Sequence, residues 1–141
     1  MVRIWLALMA LFFIVPSLLY LIDPATNFAA NGQALVATAA HTDVRVMYGT
    51  FPIAIGLFLI PAALGRSDPR WALWLCFVIF ALIVLGRLIG LALDHGDQSF
   101  TRMCLMFEVP VMLISGALLF VRRTAATAAP ATAAPATAAA E

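Results

Sequence analysis

Lysine is absent from this chain, and its 141 residues hold only two cysteines and seven acids. All eight basic side chains are therefore arginines, which rules out a Schiff-base nucleophile and suits paired or buried cations. Charge of either sign is scarce, at 11% of residues, where an ordinary soluble domain carries about a quarter. With 65% hydrophobic residues and a mean hydropathy of +1.05, the composition excludes a soluble domain and implies a chain embedded in a lipid bilayer. A net charge of +1 says nothing about nucleic acid, and with no basic helix and no aromatic–arginine groove to suggest it, no nucleic-acid partner is expected. No Gly-rich phosphate loop, HExxH, GxSxG or paired CxxC pattern occurs, so no cofactor, catalytic metal or serine nucleophile is expected. Cys76 and Cys104 fall near the starts of successive apolar stretches, toward opposite membrane faces, too far apart for a disulfide. They read as small apolar fillers.

What the chain does have is long apolar runs. Ile4 to Ile22, Val46 to Gly65, Trp71 to Leu93 and Met103 to Val121 each match the length of about 20 residues that crosses the hydrocarbon layer. The expected fold is all-α, an antiparallel four-helix transmembrane bundle over residues 1–123, followed by a disordered Ala/Pro/Thr-rich tail at 124–141. That tail repeats Ala-Thr-Ala-Ala-Pro and lacks the large side chains a core requires. A cleaved signal peptide over the first 40 residues is the competing reading. Against it stands an apolar core of 19 residues, longer than the usual 7 to 15.

Arg3, Arg66, Arg70, Arg122 and Arg123 collect on one membrane face, while the opposite face holds only Arg102 outside the membrane interior. The positive-inside rule then puts both termini in the cytoplasm. Trp5, Trp71 and Trp74 form an aromatic belt on that face, here called the tryptophan face, and Tyr20 and Tyr48 lie toward the other, the tyrosine face. The longest connection, Asp23 to Thr42, opens with polar turn residues, and Gln33 to Ala40 is predicted to form a short interfacial helix. Thr42 is the predicted N-cap of the second span, with Asp43 in its first turn. Gly96 is placed to cap the third span.

Two spans contain an ionisable residue. Arg87 and Glu108 each lie about ten residues from the middle of their connecting loop, and at 1.5 Å per residue an antiparallel hairpin brings them to equal depth. A charge at the membrane centre costs about 2.5 to 3.5 kcal/mol, so opposite signs at one level predict a pair. Arg45, Tyr48, Gly49, Pro52 and Gly56 recur at spacings of three and four and define one face of the second span. Arg87, Gly90 and Asp94 do the same on the third, and Cys104, Glu108, Val111 and Ser115 on the fourth. Gly86 and Gly90 form a small-xxx-small pair that allows close helix approach. Gly49, Pro52 and Gly56 read as packing and kink positions.

If both arginines face Glu108, one positive charge remains. The candidate ligand site is then Arg45, Tyr48, Arg87 and Glu108, with the arginine forks holding a small anionic or lipid-like molecule, Glu108 balancing charge and Tyr48 donating a hydrogen bond. The alternative is an accessory subunit of a membrane complex, in which the network only fixes helix packing against a protein partner. An enzyme using Glu108 as proton donor or acceptor is a further reading, and so is a proton-coupled transporter, although a matched arginine would hinder cycling of the carboxylate. His41, Asp43, Asp94, His95 and Asp97 gather near the tyrosine face in a weak metal-like pattern.

The stretch Asp43, Arg45, Tyr48 and Gly49, followed by Ala54 and Gly56, then Gly86, Arg87 and Gly90 through to Glu108, resembles a bacterial family of small four-span membrane proteins, the domain of unknown function 4345. The resemblance spans residues 4–121 and is carried most specifically by Arg45, Tyr48, Gly49, Gly86, Arg87 and Glu108. Thr50 stands where a second glycine is expected. The resemblance implies a bacterial inner-membrane location and no particular activity.

Overall fold

A computed structural model describes residues 1–94 and 98–127, with side chains through Val121. Of the expected tail at 124–141, residues 124–127 continue the last helix, and the rest, with the capping position Gly96, lies outside the described residues. Helix α1 is Val2–Ile22, α2 Pro24–Ala29, α3 Thr38–Val44, α4 Phe51–Ala63, α5 Pro69–Leu93 and α6 Ser99–Thr127. A π-helical turn, Arg45–Thr50, joins α3 to α4 without a break. Four helical stretches are long and apolar enough to cross a membrane: Val2–Ile22, Thr38–Ala63, Pro69–Leu93 and Ser99–Val121. They run antiparallel in chain order and form a helical bundle, with no strand among the described residues.

The connections differ from the sequence expectation in instructive ways. Asp23-Pro24 does not end the structure but starts it again: the Asp23 carboxylate accepts from the Thr26 amide at 3.2 Å and Pro24 occupies the first turn of α2. An acid at N-cap followed by proline is a helix start, because proline lacks the N–H that the first turn leaves unbonded anyway. Residues 33–36, where an interfacial helix was predicted, have no regular structure. The second span begins at Thr38 rather than near Thr42, and its N-cap, Ala37, offers no side-chain bond. Asp68-Pro69 repeats the device at the start of α5, where the Asp68 carboxylate accepts from the Arg70 amide at 2.9 Å.

The π-helical turn has a local cause. Pro52 has no N–H to offer the Tyr48 carbonyl, and its ring crowds that oxygen. The turn ahead widens, and the Phe51 amide donates to the Val46 carbonyl five residues back.

Packing is uneven along the bundle. Helix α1 lies closest to α4 and the π turn, α5 closest to α6, and the two hairpins meet mainly through α1 with α5 and α4 with α5. The core is built from Leu6, Met9, Ala10 and Phe13 of α1, Leu59 and Ala62 of α4, and Ala72, Leu73, Cys76 and Phe80 of α5. All but Phe13, which sits just past the middle of α1, belong to the half of their helix nearer the tryptophan face. There Trp5 Nε1 donates to the buried Ser115 Oγ of α6 at 3.1 Å, tying the first span to the last. Toward the tyrosine face the hairpins bury little against each other, and Leu85, Leu88, Ile89, Met103, Met106 and Phe107 present apolar surface suited to lipid.

Two glycines set the α1–α4 approach. A Cβ on Gly56 would lie 2.6 Å from Ile14 Cγ1 and 2.8 Å from the Ala10 carbonyl oxygen, and one on Gly49 would lie 3.1–3.2 Å from Leu21. Gly86 and Gly90 do not form the close approach predicted for them: a Cβ at Gly86 meets nothing within 4 Å, and at Gly90 it meets only Asp94 of its own helix. Small residues at four-residue spacing allow contact, but Leu85, Leu88 and Ile89 around them face outward. Gly56→Ala should therefore destabilise the fold by about 1–3 kcal/mol, since backbone must shift to admit the methyl group. Gly86→Ala should be neutral or stabilising by about 0.5–1 kcal/mol through helix propensity alone. Thermal loss of helical circular dichroism in a fixed detergent tests the contrast.

Candidate functional site

Arg87 and Glu108 meet. The guanidinium Nε donates to Glu108 Oε2 at 2.6 Å, an ion pair between α5 and α6 with side chains only 27% and 12% exposed. It is the one ion pair among the described residues. A charge-assisted bond of this kind is stronger than a neutral one, and in hydrocarbon neither group has water as an alternative partner. Near the loop end of the hairpin, Gln98 Nε2 donates to the Gly90 carbonyl at 3.1 Å and the Asp94 carbonyl at 2.8 Å, so the end of α5 is tied to the residues that start α6. The face predicted on the fourth span turns inward as a unit: Glu108 bonds Arg87, Val111 packs on the core, and Ser115 accepts from Trp5.

Arg45 does not join this pair. Its Nε donates to the Leu21 carbonyl on α1 at 3.2 Å, and the residue is exposed. The α-helical spacing used to align it with Tyr48 and Pro52 fails because residues 45–50 wind as a π turn; Arg45 and Gly49 both rest on Leu21 instead. Tyr48 is 51% exposed and packs in an aromatic triad, with ring centroids 5.7 Å from Tyr20 and 5.2 Å from Phe28. Tyr48 and Cys104 both lie within electrostatic range of the Arg87 guanidinium. Thus the four predicted site residues fall into two groups at one membrane face: a closed pair on the second hairpin, and an arginine with a tyrosine on the first.

Sequence reasoning missed the third component, the short helix α2. Asn27 Nδ2 donates to the Leu19 and Asp23 carbonyls at 3.0 and 2.7 Å, and Asn31 Nδ2 donates to the Tyr20 hydroxyl at 2.7 Å. These bonds hold Phe28 over Tyr20 and Tyr48. The Asp-Pro start signal of α2 was the available clue. Hydrogen bonds from Thr26, side chain and backbone, hold the Asp23 carboxyl below its usual range, and the nearby Arg45 adds a smaller pull in the same direction.

The metal-like pattern does not assemble among the described residues, where no group of three His, Cys, Asp or Glu side chains could hold an ion. His95 and Asp97 lie outside those residues. Cys76 is buried in the core, Cys104 is half-buried, and both are free thiols. Among the described residues, cavities of about 150, 510 and 460 Å³ are lined by side chains other than Arg45, Tyr48, Arg87 and Glu108.

Four apolar helices of spanning length, closed by an ion pair between the last two, define a multi-pass helical membrane protein. The family model described as Domain of unknown function (DUF4345) matches residues 1–121, and the chain belongs to that family. No curated protein and no solved structure matches the chain.

Glu108→Leu should cost about 3 kcal/mol, because it strands Arg87 in hydrocarbon. The double substitution Arg87→Leu with Glu108→Leu should recover most of that loss. Denaturation of both variants in one detergent gives the comparison, and equal stability of single and double variants would refute a coupled pair. A second outcome follows from Asp23, whose folded-state pKa is depressed. Its contribution is present above the ordinary value of 3.8 and is lost as pH falls through the lower folded value. Amide exchange at Thr26 should therefore accelerate, beyond the intrinsic pH dependence, only once pH drops below that range.

Proposed function

We propose that this membrane protein binds a small anionic or lipid-like molecule at the tyrosine face, with Arg45 as the anchoring cation. The observation that carries the reading is the contrast between the two arginines. Arg87 already has Glu108 at 2.6 Å, whereas the one hydrogen bond of the Arg45 side chain among the described residues goes to the Leu21 carbonyl. A guanidinium at a membrane surface that has no carboxylate within ion-pair distance among the described residues, Asp23 acting on it only from further off, favours an anion, and its planar fork suits a carboxylate or phosphate bidentately. π turns inside helices recur at functional sites, which adds weight to this position.

In this reading Arg45 takes the anionic head and Tyr48 donates its phenolic proton to it. The Tyr20–Phe28–Tyr48 rings border the apolar part. Arg87, still 27% exposed, faces the ligand from the second hairpin while Glu108 keeps that wall near neutral. The arginine bias of the opposite face supports cytoplasmic termini in a bacterial inner membrane, so that the ligand enters from the outer leaflet. The second reading, an accessory subunit, is favoured by one specific observation: the Arg87–Glu108 pair is satisfied within the chain and needs no ligand to close it.

The full chain, extracted in a mild detergent and titrated with oleate under native mass spectrometry, distinguishes the two. Arg45→Gln should weaken oleate adducts about tenfold, the value of one charge-assisted hydrogen bond. Unchanged adducts, together with a second polypeptide that leaves on Glu108→Leu substitution, would establish the accessory reading instead.

A further inference from the structure

We propose that the groove between α5 and α6 at the tryptophan face holds one anionic phospholipid, with its phosphate on Arg70 and the upper part of an acyl chain against Trp74, Phe77, Gly116, Leu119 and Phe120. These six residues line a cavity of about 150 Å³. A space of about that size accommodates a benzene-sized piece of hydrocarbon, so it takes a segment of one chain. Arg70 and Phe77 are seven positions apart on α5, which puts the groove floor about 10 Å below its mouth. That distance carries a ligand from headgroup level, where Trp71 and Trp74 belong to the interfacial belt, into the acyl region.

The shape and the charge both have identifiable sources. Gly116 leaves the hollow: a Cβ there would stand 3.2–3.3 Å from the Phe77 ring. Trp74, 52% exposed, meets Phe77 edge-on with centroids 5.9 Å apart, and the two rings make one wall. At the mouth, Arg70 is exposed and has no carboxylate within ion-pair distance among the described residues. Asp68, the acid nearest in sequence, directs its carboxylate to the Arg70 backbone amide. Arg66 is on the same turn, and the Arg3 guanidinium lies over Gly65 there. Three arginines against one aspartate give this face a positive field that complements a phosphodiester, and a phosphate is the anion an arginine fork matches best at headgroup depth. A free phosphate would make no use of the aromatic wall below. The site lies at the opposite membrane face from Arg45 and does not rest on the function proposed there.

Phosphatidylglycerol titrated into the detergent-solubilised full chain, read by native mass spectrometry, tests the assignment. Phosphatidylcholine with the same acyl chains and free glycerol phosphate serve as controls. The expected result is a single phosphatidylglycerol adduct, about tenfold weakened by Arg70→Gln, as for loss of one charge-assisted hydrogen bond, and largely kept by Arg70→Lys. Gly116→Leu should weaken the adduct by filling the groove, and Arg45→Gln should leave it unchanged. Arg70→Gln sits at an exposed helix end and keeps the fold, so it decides the matter even where Gly116→Leu loses helical circular dichroism. Equal binding of both phospholipids, an adduct indifferent to Arg70→Gln, or glycerol phosphate binding as tightly as the lipid would each overturn the proposal. So would a dependence on Arg45.

Discussion

In hydrocarbon there is no water to fall back on, so every polar group in a spanning helix must find its partner in the protein. The Arg87–Glu108 pair is where that constraint is sharpest, because it joins two full charges across the hairpin of α5 and α6. Neither residue is tolerable alone at that depth, and together they fix which faces of α5 and α6 turn toward each other. Val111 and Ser115 follow from that choice, being one and two turns further along the same face. The link then passes to α1 through Trp5. A single electrostatic contact thus sets the rotation of the second hairpin and, through Ser115, its docking on the first.

The remaining stability is concentrated at one end. Core residues of α1, α4 and α5, Phe13 apart, share the half nearer the tryptophan face, where small side chains such as Ala10, Ala62 and Ala72 let the helices approach. Dispersion rather than water exclusion drives such contact, because lipid tails are as apolar as leucine. Toward the tyrosine face the same helices carry bulky outward leucines, isoleucines and phenylalanines, and polar bonds through Asn27, Asn31 and Gln98 replace packing. The result is a bundle whose hairpins are joined by van der Waals contact and the Trp5–Ser115 bond at one membrane face, with hydrogen bonds inside each hairpin at the other.

The four spans and the depth match of Arg87 with Glu108 were legible because both depend on counting: hydrophobic length for the first, residues from a turn for the second. Counting fails where the helix changes its own pitch. Arg45 was aligned with the ion pair on an α-helical wheel, yet Pro52 widens the preceding turn and the side chain goes to Leu21. Gly86 and Gly90 illustrate another gap, since a glycine pair has the same spacing whether a helix or lipid covers it. Asp23-Pro24 was ambiguous between turn and helix start, and the choice rested on Thr26 and Asn27, whose bonds become visible only in three dimensions.

The widened turn at Arg45–Thr50 also separates two jobs within one span. Below it, Gly56 locks the helix azimuth against Ile14 and Ala10; above it, the backbone is free of that lock and presents Arg45 at its own angle. Deleting a single residue between 45 and 50 would restore ordinary winding with little swing of the upper segment, because five residues at about 100° each turn nearly as far as six in the wider winding. The extra residue is thus taken up in the width of the turn, and a span one residue longer there keeps both ends seated, Gly56 on Ile14 and Ala10 and the upper segment on Leu21.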